Sequence, residues 1–214
     1  MKRCQWVPQN HELYIHYHDN EWGVPVRDDF VLFEFLILEG AQAGLNWSTI
    51  LKKRPGYKKA FKDFDPVKVS RFSNKKCEQL LLNPDIIRNR LKVFSAVKNA
   101  KVFLEIQKEY DSFSNYLWAF VNKKPIQNNF TSFAEIPTKT PLSDQISKDL
   151  KKRGMSFVGS TIIYAYMQAI GMVNDHTLDC ERHLQLNIGI LALTGENQSS
   201  TITLTINTTT KQLG

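Results

Sequence analysis

The sequence predicts an all-α fold. No window before residue 184 shows the sustained apolar and polar alternation of a half-buried strand. Apolar residues recur instead at helical spacing, most clearly from Ile86 to about Tyr110. Asp, Ser or Asn stands before several of these segments, where its side chain can cap the first turn of a helix. We therefore expect about eight helices and no internal repeat.

Composition narrows the possible functions. The 214 residues suit one large or two small domains with a substantial core. Lys and Arg outnumber Asp and Glu by 28 to 21, giving a net charge of +7. This balance favours a polyanionic partner, although a solvated basic surface would produce it too. Three scattered cysteines, no signal peptide and no long apolar run predict a cytoplasmic protein without a membrane partner.

The first elements of the chain are a loop and a core helix. Residues 1–29 show no clear helical period, and we expect a loop packed by its aromatic side chains. Asp28 or Asp29 can cap a helix over residues 30–45, whose apolar residues cover nearly every face. Glu39 follows that apolar run, where a buried carboxylate must be paired, protonated or turned toward a polar cavity. A position at the exposed rim of the helix end is the alternative.

Asn46 or Ser48 can cap the next helix, over residues 47–64. We expect Pro55 and Gly56 to break it. Its lysine runs suit a solvated face or contacts to phosphate groups.

Capping residues and helical spacing indicate the later helices. The predicted starts are Asp65, Ser73, Ile86, Ser112 and Ser143, with a proline-containing loop over residues 122–142. After residue 183 the chain changes character, because residues 186–193 and 201–206 favour strand. We expect one domain over residues 1–183, followed by a variable tail over 184–214 that is either a weak hairpin or, as we favour, disordered.

Residues 150–180 combine several features that suggest function. A basic helix end leads through Gly154 to a second helix start at Gly159 and Ser160. The free N–H groups of such a start can hold a phosphate oxygen.

His176 and Cys180 then supply half of a metal site. Cys4, which has His16 and His18 downstream, could supply the other half. One ion would then tie the two ends of the domain together.

Nine short segments between residues 3 and 182 carry a family resemblance. In order they are CxWV, YHDNEWGVP, LEGAQAGLNW, LKKRP, FDPxKV, IIRNR, EIPT, LKKRGMSFVG and VNDHxxxC. The chain resembles 3-methyladenine DNA glycosylase I. This resemblance implies a two-lobed helix-hairpin-helix body with a lesion pocket between its lobes. It also implies action on double-stranded DNA containing 3-methyladenine, with release of free 3-methyladenine. We expect a monomer.

The resemblance implies one structural zinc ion per chain, held by Cys4, His18, His176 and Cys180. Two thiolates and two imidazoles close a tetrahedral site, so the metal would have no open position for catalysis. His16 and His183 are the alternative ligands. Cys77, on an apolar helix, is expected to be an ordinary buried thiol.

The resemblance also assigns the lesion pocket. Tyr17 and Trp47 would be its ring walls and Glu39 its carboxylate, because aromatic faces and a negative charge suit a cationic purine. Glu39 is the candidate catalytic residue. The general base stays open between Glu39, Asp175 and neither.

Two turns supply the expected DNA contacts. Leu45 is the expected wedge that fills the gap left by an extruded base, and the Gly159 and Ser160 amides are the expected phosphate contacts. Phe157 departs from the commoner hairpin, which has glycine there. Ser160 and Thr161 occupy the place of the lysine nucleophile in bifunctional relatives, so we expect no strand cleavage.

The main alternative is a non-catalytic, zinc-stapled module that binds damaged DNA. It would share the charge, hairpin and metal, but it would not need a carboxylate in an aromatic pocket. A metal-dependent hydrolase is disfavoured because four strong ligands leave no open coordination position.

Overall fold

The computed structural model describes residues 1–194, and this part of the chain is mostly helical. The helices are α1 Glu12–Asn20, α2 Asp29–Gln42, α3 Trp47–Ala60, α4 Pro66–Ser70, α5 Asn74–Leu80, α6 Arg90–Tyr110, α7 Phe113–Ala119, α8 Pro141–Lys152, α9 Ser160–Ala169 and α10 Glu181–Thr194. Two 3-10 turns, Lys62–Phe64 and Phe133–Glu135, and two short strands, β1 Ile126–Gln127 and β2 Val173–Asn174, complete the fold. The predicted all-α class is confirmed.

Helix α2 is the centre of the core. Asp28 caps it by accepting from the Phe30 and Val31 amides at 2.9 and 3.0 Å. Its apolar residues from Leu32 to Leu38 are buried, and it packs against α3, α6, α7 and α9. Asp29, the other predicted cap, accepts instead from the Phe113 and Ser114 amides at the start of α7. The two aspartates therefore fix two helix starts.

Most predicted helix starts agree with the structure. Side chains of Asn46, Asp65, Ser73 and Ser112 cap α3, α4, α5 and α7. Two starts differ. Helix α6 begins at Arg90 after the cap Asn89 rather than at Ile86, and α8 is capped by Thr140, with Ser143 completing a capping box.

The prediction of a loop over residues 1–29 is wrong at α1. His11 caps this helix through its ring nitrogen, and Tyr17 and His18 are buried. Its inward residues are aromatic or imidazole side chains that line a cavity and a cluster of Cys and His side chains. Because these residues replace the aliphatic stripe of an amphipathic helix, the apolar period is not visible in the sequence.

The predicted break at Pro55 and Gly56 is also wrong, because α3 continues through both residues. Gly56 is instead a close-packing position: a Cβ atom there would lie 2.4 Å from the Asp85 carbonyl oxygen. Lys53 donates to the neighbouring Pro84 carbonyl at 2.6 Å. Tertiary packing against residues 84–85 therefore accommodates the proline that local sequence disfavours.

Residues 186–193 are helical, so a hairpin that uses them as a strand is excluded. Helix α10 crosses the predicted domain boundary at 183 and 184. His183 and Leu186 are buried on it, and His183 Nε2 lies 2.9 Å from the Asn128 carbonyl oxygen. Packing outweighs the strand propensity of these residues. The second predicted strand, 201–206, lies outside the described residues.

Helices α8 and α9 pack together as a helix-hairpin-helix unit. The long connection before α8 is anchored by a parallel ladder in which Ile126 pairs with Val173 and Gln127 with Asn174. Across residues 1–194, no helix has both the length and the apolar character that a membrane span requires.

Candidate active site and metal cluster

A cavity of about 230 Å³ lies between α1, α2 and the start of α3 on one side and α9 on the other. Most of its walls are aromatic, with three polar side chains among them. The lining residues are Trp6, Tyr14, Tyr17, Trp22, Glu39, Gln42, Trp47, Phe133, Ile136, Ala165 and Gln168. Its volume is below the range of about 300 to 1,000 Å³ typical of sites for drug-sized ligands, so it suits a single small ring system.

Glu39 lies in the wall of this cavity and is 4 % exposed. Within the described residues no donor or cation pairs with its carboxyl group. Burial raises the pKa of Glu39 to about 8. The structure thus excludes the alternative in which Glu39 emerges at the rim of its helix.

Tyr17 and Trp47 stand beside Glu39 as predicted. Their ring centroids are 5.3 Å apart at an angle of 51°. Burial, followed by the nearby Glu39, raises the pKa of Tyr17 well above its usual value. The Trp47 Nε1–H is buried without an acceptor in the described part of the chain. The three residues therefore form one corner of the cavity that combines a carboxyl group with two aromatic rings.

Sequence reasoning missed other lining residues, notably Trp6, Tyr14, Trp22 and Gln168. The first three stand within residues 6–22, where aromatic residues are dense in a segment without an aliphatic period. That density was a usable signal for a cavity wall. Gln168 is a polar residue in the largely apolar α9, which is the same signal that distinguished Glu39.

Cys4, His18, His176 and Cys180 form a buried cluster that could hold a metal ion. Their four ligand atoms all lie within 4.8 Å of one another. The Cys180 sulfur is 3.4 Å from His176 Nδ1 and 3.5 Å from His18 Nε2. The Cys4 sulfur is 3.4 Å from His176 Nδ1. The structure therefore brings together the four predicted ligands from the two ends of the domain.

The opposite nitrogen of each histidine has its own partner. His18 Nδ1 lies 2.8 Å from Asp19 Oδ1, and Asp19 is held in turn by Arg3. His176 Nε2 lies 3.0 Å from the Trp22 carbonyl oxygen. These contacts favour a proton on the outer nitrogen and leave the inner nitrogen free to bind a cation.

The two thiols are held close enough to affect each other's ionisation. The pKa of Cys180 is lowered by its hydrogen bond with Cys4 and by the two imidazoles. The pKa of Cys4 is raised by its hydrogen bond with Cys180 and by burial. A divalent cation between them would let both ionise.

The alternative ligands lie outside the cluster. His16 is largely exposed beside Glu21, and His183 contacts the Asn128 carbonyl. Asp175 does not orient the His176 ring, although it is the preceding residue. Its carboxylate accepts from three donors elsewhere, at 2.6 to 2.7 Å: Asn128, Tyr164 and Gln168.

The cluster and the cavity share a wall. The Trp22 ring lies edge-on to the His176 ring, with centroids 4.6 Å apart, and Trp6 lies 5.4 Å from His18 in the same way. Both tryptophans also line the cavity. Ordered ligands in the cluster therefore help to hold Trp6 and Trp22, which are part of the cavity wall, in place.

The predicted DNA contacts lie on two turns, one exposed at Leu45 and one half-buried at Gly159 and Ser160. Leu45 is 41 % exposed between α2 and α3. Lys92 donates to the Ala41 and Ala43 carbonyls at 2.8 and 2.6 Å and so fixes the end of α2 that carries the turn. Gly44, with φ of +77°, supplies the left-handed residue of this turn.

The hairpin turn keeps the backbone that glycine would favour. Phe157, which stands where the commoner motif has glycine, has φ of +57°. Gly159 is the cap residue of α9, with no side chain to cover the free amides. The Ser160 side chain helps to lower the pKa of the nearby Asp144 carboxylate. At the start of α9, the backbone N–H of Ser160 is one of the amides that a ligand could use.

Comparison with known protein families gives a match over residues 6–183 to the family described as methyladenine glycosylase. Among curated proteins, DNA-3-methyladenine glycosylase 1 of Escherichia coli K12 is 49 % identical over 180 residues, covering 84 % of this chain and 96 % of the relative. DNA-3-methyladenine glycosylase of Haemophilus influenzae is 47 % identical over 178 residues, covering 83 % and 96 %.

Solved structures agree with the sequence match. A crystal structure of a 3-methyladenine DNA glycosylase I superposes with a TM-score of 0.82 at 48 % identity and covers 84 % of this chain and 98 % of that one. The Staphylococcus aureus protein, whose structure concerns 3-methyladenine recognition, superposes with a TM-score of 0.81 at 36 % identity, covering 85 % and 96 %.

Proposed function

Because this chain belongs to the methyladenine glycosylase family, we propose that it removes 3-methyladenine from alkylated double-stranded DNA by hydrolysing the N-glycosidic bond. The observation that carries the proposal is Glu39, a buried and unpaired carboxyl group in a cavity walled by Tyr17 and Trp47. Relatives at 47 to 49 % identity bear the name of this activity.

The chemistry of the lesion matches this cavity. An alkylated adenine in DNA carries a positive charge, and cleavage of its glycosidic bond releases a neutral base. Little acid catalysis is needed, so the enzyme's task is to extrude and select the cationic purine. The ring faces attract the cation, and the Glu39 carboxylate complements its charge and accepts from its exocyclic amine. An uncharged adenine could still donate from its amine, but it would gain neither the attraction to the ring faces nor the charge complement.

The reaction would end at the abasic site. The residues that line the cavity include no lysine, and Ser160 and Thr161 follow the hairpin turn. No Schiff base can therefore form at these positions, and the backbone is left intact.

Two turns would engage the duplex. Leu45 would occupy the space of the extruded base. The Gly159 and Ser160 amides would face a phosphate oxygen at the N-terminus of α9. The wedge residue is held at the end of α2, the helix that carries Glu39, so base extrusion and base capture would share one support.

The metal we infer is one structural zinc ion held by Cys4, His18, His176 and Cys180. In a tetrahedral zinc site with Zn–S near 2.3 Å and Zn–N near 2.0–2.1 Å, sulfur and nitrogen ligands are about 3.6 Å apart. The 3.4 and 3.5 Å separations here are close to that length. Four protein ligands leave no coordination position for substrate, so the ion would stabilise the fold.

Duplex DNA containing 3-methyladenine tests the proposal. Chromatography should detect free 3-methyladenine after incubation with the protein, and Glu39→Gln should reduce release by roughly tenfold or more, because the charge complement is lost. The matched control Glu105→Gln, at an exposed position on α6, should act like the wild type. Binding without release by folded protein would favour the non-catalytic damage-binding module instead.

A further inference from the structure

The base cavity continues into a second groove. This groove, of about 410 Å³, runs beside the first turn of α9 and includes Thr161, Tyr164 and Pro137 among its lining residues. Four residues line both spaces: Phe133, Ile136, Ala165 and Gln168. Glu39, Tyr17 and Trp47 line the cavity alone. The four shared residues therefore mark the junction between the two spaces.

If the proposed function holds, the junction is where the bond to be cleaved would lie. The base would lie beside Glu39, while the phosphate of its nucleotide would lie toward the N-terminus of α9. The bond between base and sugar must then cross from one space to the other at the four shared residues. Gln168 is the one residue of the four with a polar side chain.

The amide of Gln168 is held in one orientation. Its Nε2 donates to Asp175 Oδ2 at 2.7 Å. The opposite orientation would place the Gln168 carbonyl oxygen against a carboxylate, which is repulsive. Within residues 1–194 no donor is bonded to Gln168 Oε1, so this oxygen is the acceptor that Gln168 offers to the junction.

Asp175 is itself fully buried and occupied. Tyr164 donates to its Oδ2 and Asn128 to its Oδ1, both at 2.6 Å. It does not line the base cavity. Its geometry is that of a residue that orients Gln168, rather than that of a group in contact with the substrate.

The geometry points to Gln168 as the residue that positions the attacking water at the sugar C1′ atom, with Asp175 as the positioning residue behind it. This inference rests on the proposed function. The water oxygen forms a bond to C1′ while the C1′–N bond to the base breaks. The electron pair of that bond passes to the base and neutralises its positive charge. The proton lost by the water passes to a second water, because an amide oxygen does not take it. Gln168 Oε1 accepts a hydrogen bond from the attacking water and faces the positive charge that develops on the sugar.

Gln168→Leu separates this role from base recognition, because leucine removes the acceptor at similar volume. Single-turnover release of 3-methyladenine from saturated duplex should slow by roughly a hundredfold or more, as for the loss of one preorganised polar contact. Affinity for free 3-methyladenine and for duplex with an abasic-site analogue should stay within about twofold. Asp175→Asn should show the same pattern, since its amide can reverse the orientation of Gln168. Gln145→Leu, at an exposed site on α8, is the matched control and should cleave normally.

Melting temperature and zinc content establish that each variant is folded. A wild-type rate in Gln168→Leu would overturn the inference and leave the proposed function intact. A loss of free-base affinity in Gln168→Leu would overturn it too, because Gln168 would then be part of base recognition. Failure of the wild type itself to release 3-methyladenine would instead remove the proposed function.

Discussion

Glu39 is buried without a partner among the described residues, and its pKa of about 8 means that the carboxyl group is mostly protonated in the free protein at neutral pH. A cationic base in the cavity favours the ionised form, because the two charges attract. We therefore expect capture of the lesion to be coupled to the loss of a proton from Glu39.

This coupling gives a pH dependence. The value of kcat/KM for base release should rise with pH and level off above about 8, because it reports ionisation in the free enzyme. Glu39→Gln should give a low and flat profile between pH 6 and 9. Measured rates at constant ionic strength check this. A slope that survives in Glu39→Gln would assign the ionisation to another group.

The free energy of unfolding of the free protein should decrease as pH rises, whereas kcat/KM increases. The folded-state pKa of Glu39 lies above the ordinary value of a glutamate. The contribution of Glu39 to the free energy of unfolding is therefore fully present below about pH 4.3 and is lost as pH rises through about 8. Glu39→Gln should therefore raise the melting temperature relative to wild type more at pH 9 than at pH 5. Thermal unfolding of both proteins at the two pH values tests the sign. An equal difference at both would contradict it.

Leu45 gives a second prediction at this scale. Leu45→Ala should lower release from duplex DNA by roughly tenfold, because a smaller side chain fills less of the gap left by the base. Binding of free 3-methyladenine should not change, since no gap forms there. Leu82→Ala, at another exposed leucine, is the control and should act like wild type. A loss of free-base binding in Leu45→Ala would show that Leu45 supports the cavity instead.

At the scale of the elements, the hairpin turn before α9 holds Phe157 in a strained left-handed backbone conformation, which mutations can test. Phe157 has φ of +57° and packs against Gly40, where an added Cβ would lie 3.3 Å from the Phe157 Cβ. A left-handed backbone costs an ordinary residue about 1–2 kcal/mol, and glycine almost nothing.

We therefore expect Phe157→Gly to be more stable than Phe157→Ala by about 1 kcal/mol, which reverses the usual order of these residues in ordered elements. Both lose the same ring contacts, so the comparison isolates the backbone. Urea unfolding at equal protein concentration measures the difference. Greater stability of Phe157→Ala would mean that the turn relaxes when the ring is removed.

The elements also show what the sequence could predict. Helix starts were predictable where a side chain caps the residues that follow it, as at Asp65, Ser73 and Ser112, because the interaction is local. The continuation of α3 through Pro55 and Gly56 places Gly56 directly against the distant Asp85. Helices α1 and α10 depend on packing against the metal cluster and on contacts such as that of His183 with Asn128. Such tertiary contacts leave no periodic signal in one segment.

For the molecule as a whole, the metal cluster connects residues near both ends of the domain and shares a wall with the cavity. Cys180→Ser should lose zinc and lower the melting temperature by roughly 10 °C, a few kcal/mol for a chain of this size. It should also weaken free-base binding, because Trp22 would lose its ordered neighbour His176.

Cys77→Ser is the matched control, since Cys77 is a buried thiol outside the cluster. It should keep one zinc ion per chain by elemental analysis, even if its packing is slightly poorer. Equal zinc content in wild type and Cys180→Ser would contradict the assignment of the ligands.

The site as a whole was only partly predictable. Glu39, Tyr17, Trp47 and the four metal ligands stood out, because their residue types are distinctive and the family resemblance named them. The junction did not. The role inferred for Gln168 depends on its hydrogen bond to Asp175 and on its place between the cavity and the groove, and both exist only in the folded chain.

The placement of the ligands has a consequence during synthesis. Cys4 and His18 leave the ribosome first, but His176 and Cys180 follow only when almost the whole domain has been made. Until then the segment that carries Tyr17 lacks the connection to residues 176–180, although it can already pack against α3. We expect a prematurely terminated chain to be inert toward DNA, so that an unfinished copy does not create abasic sites in the genome it should protect.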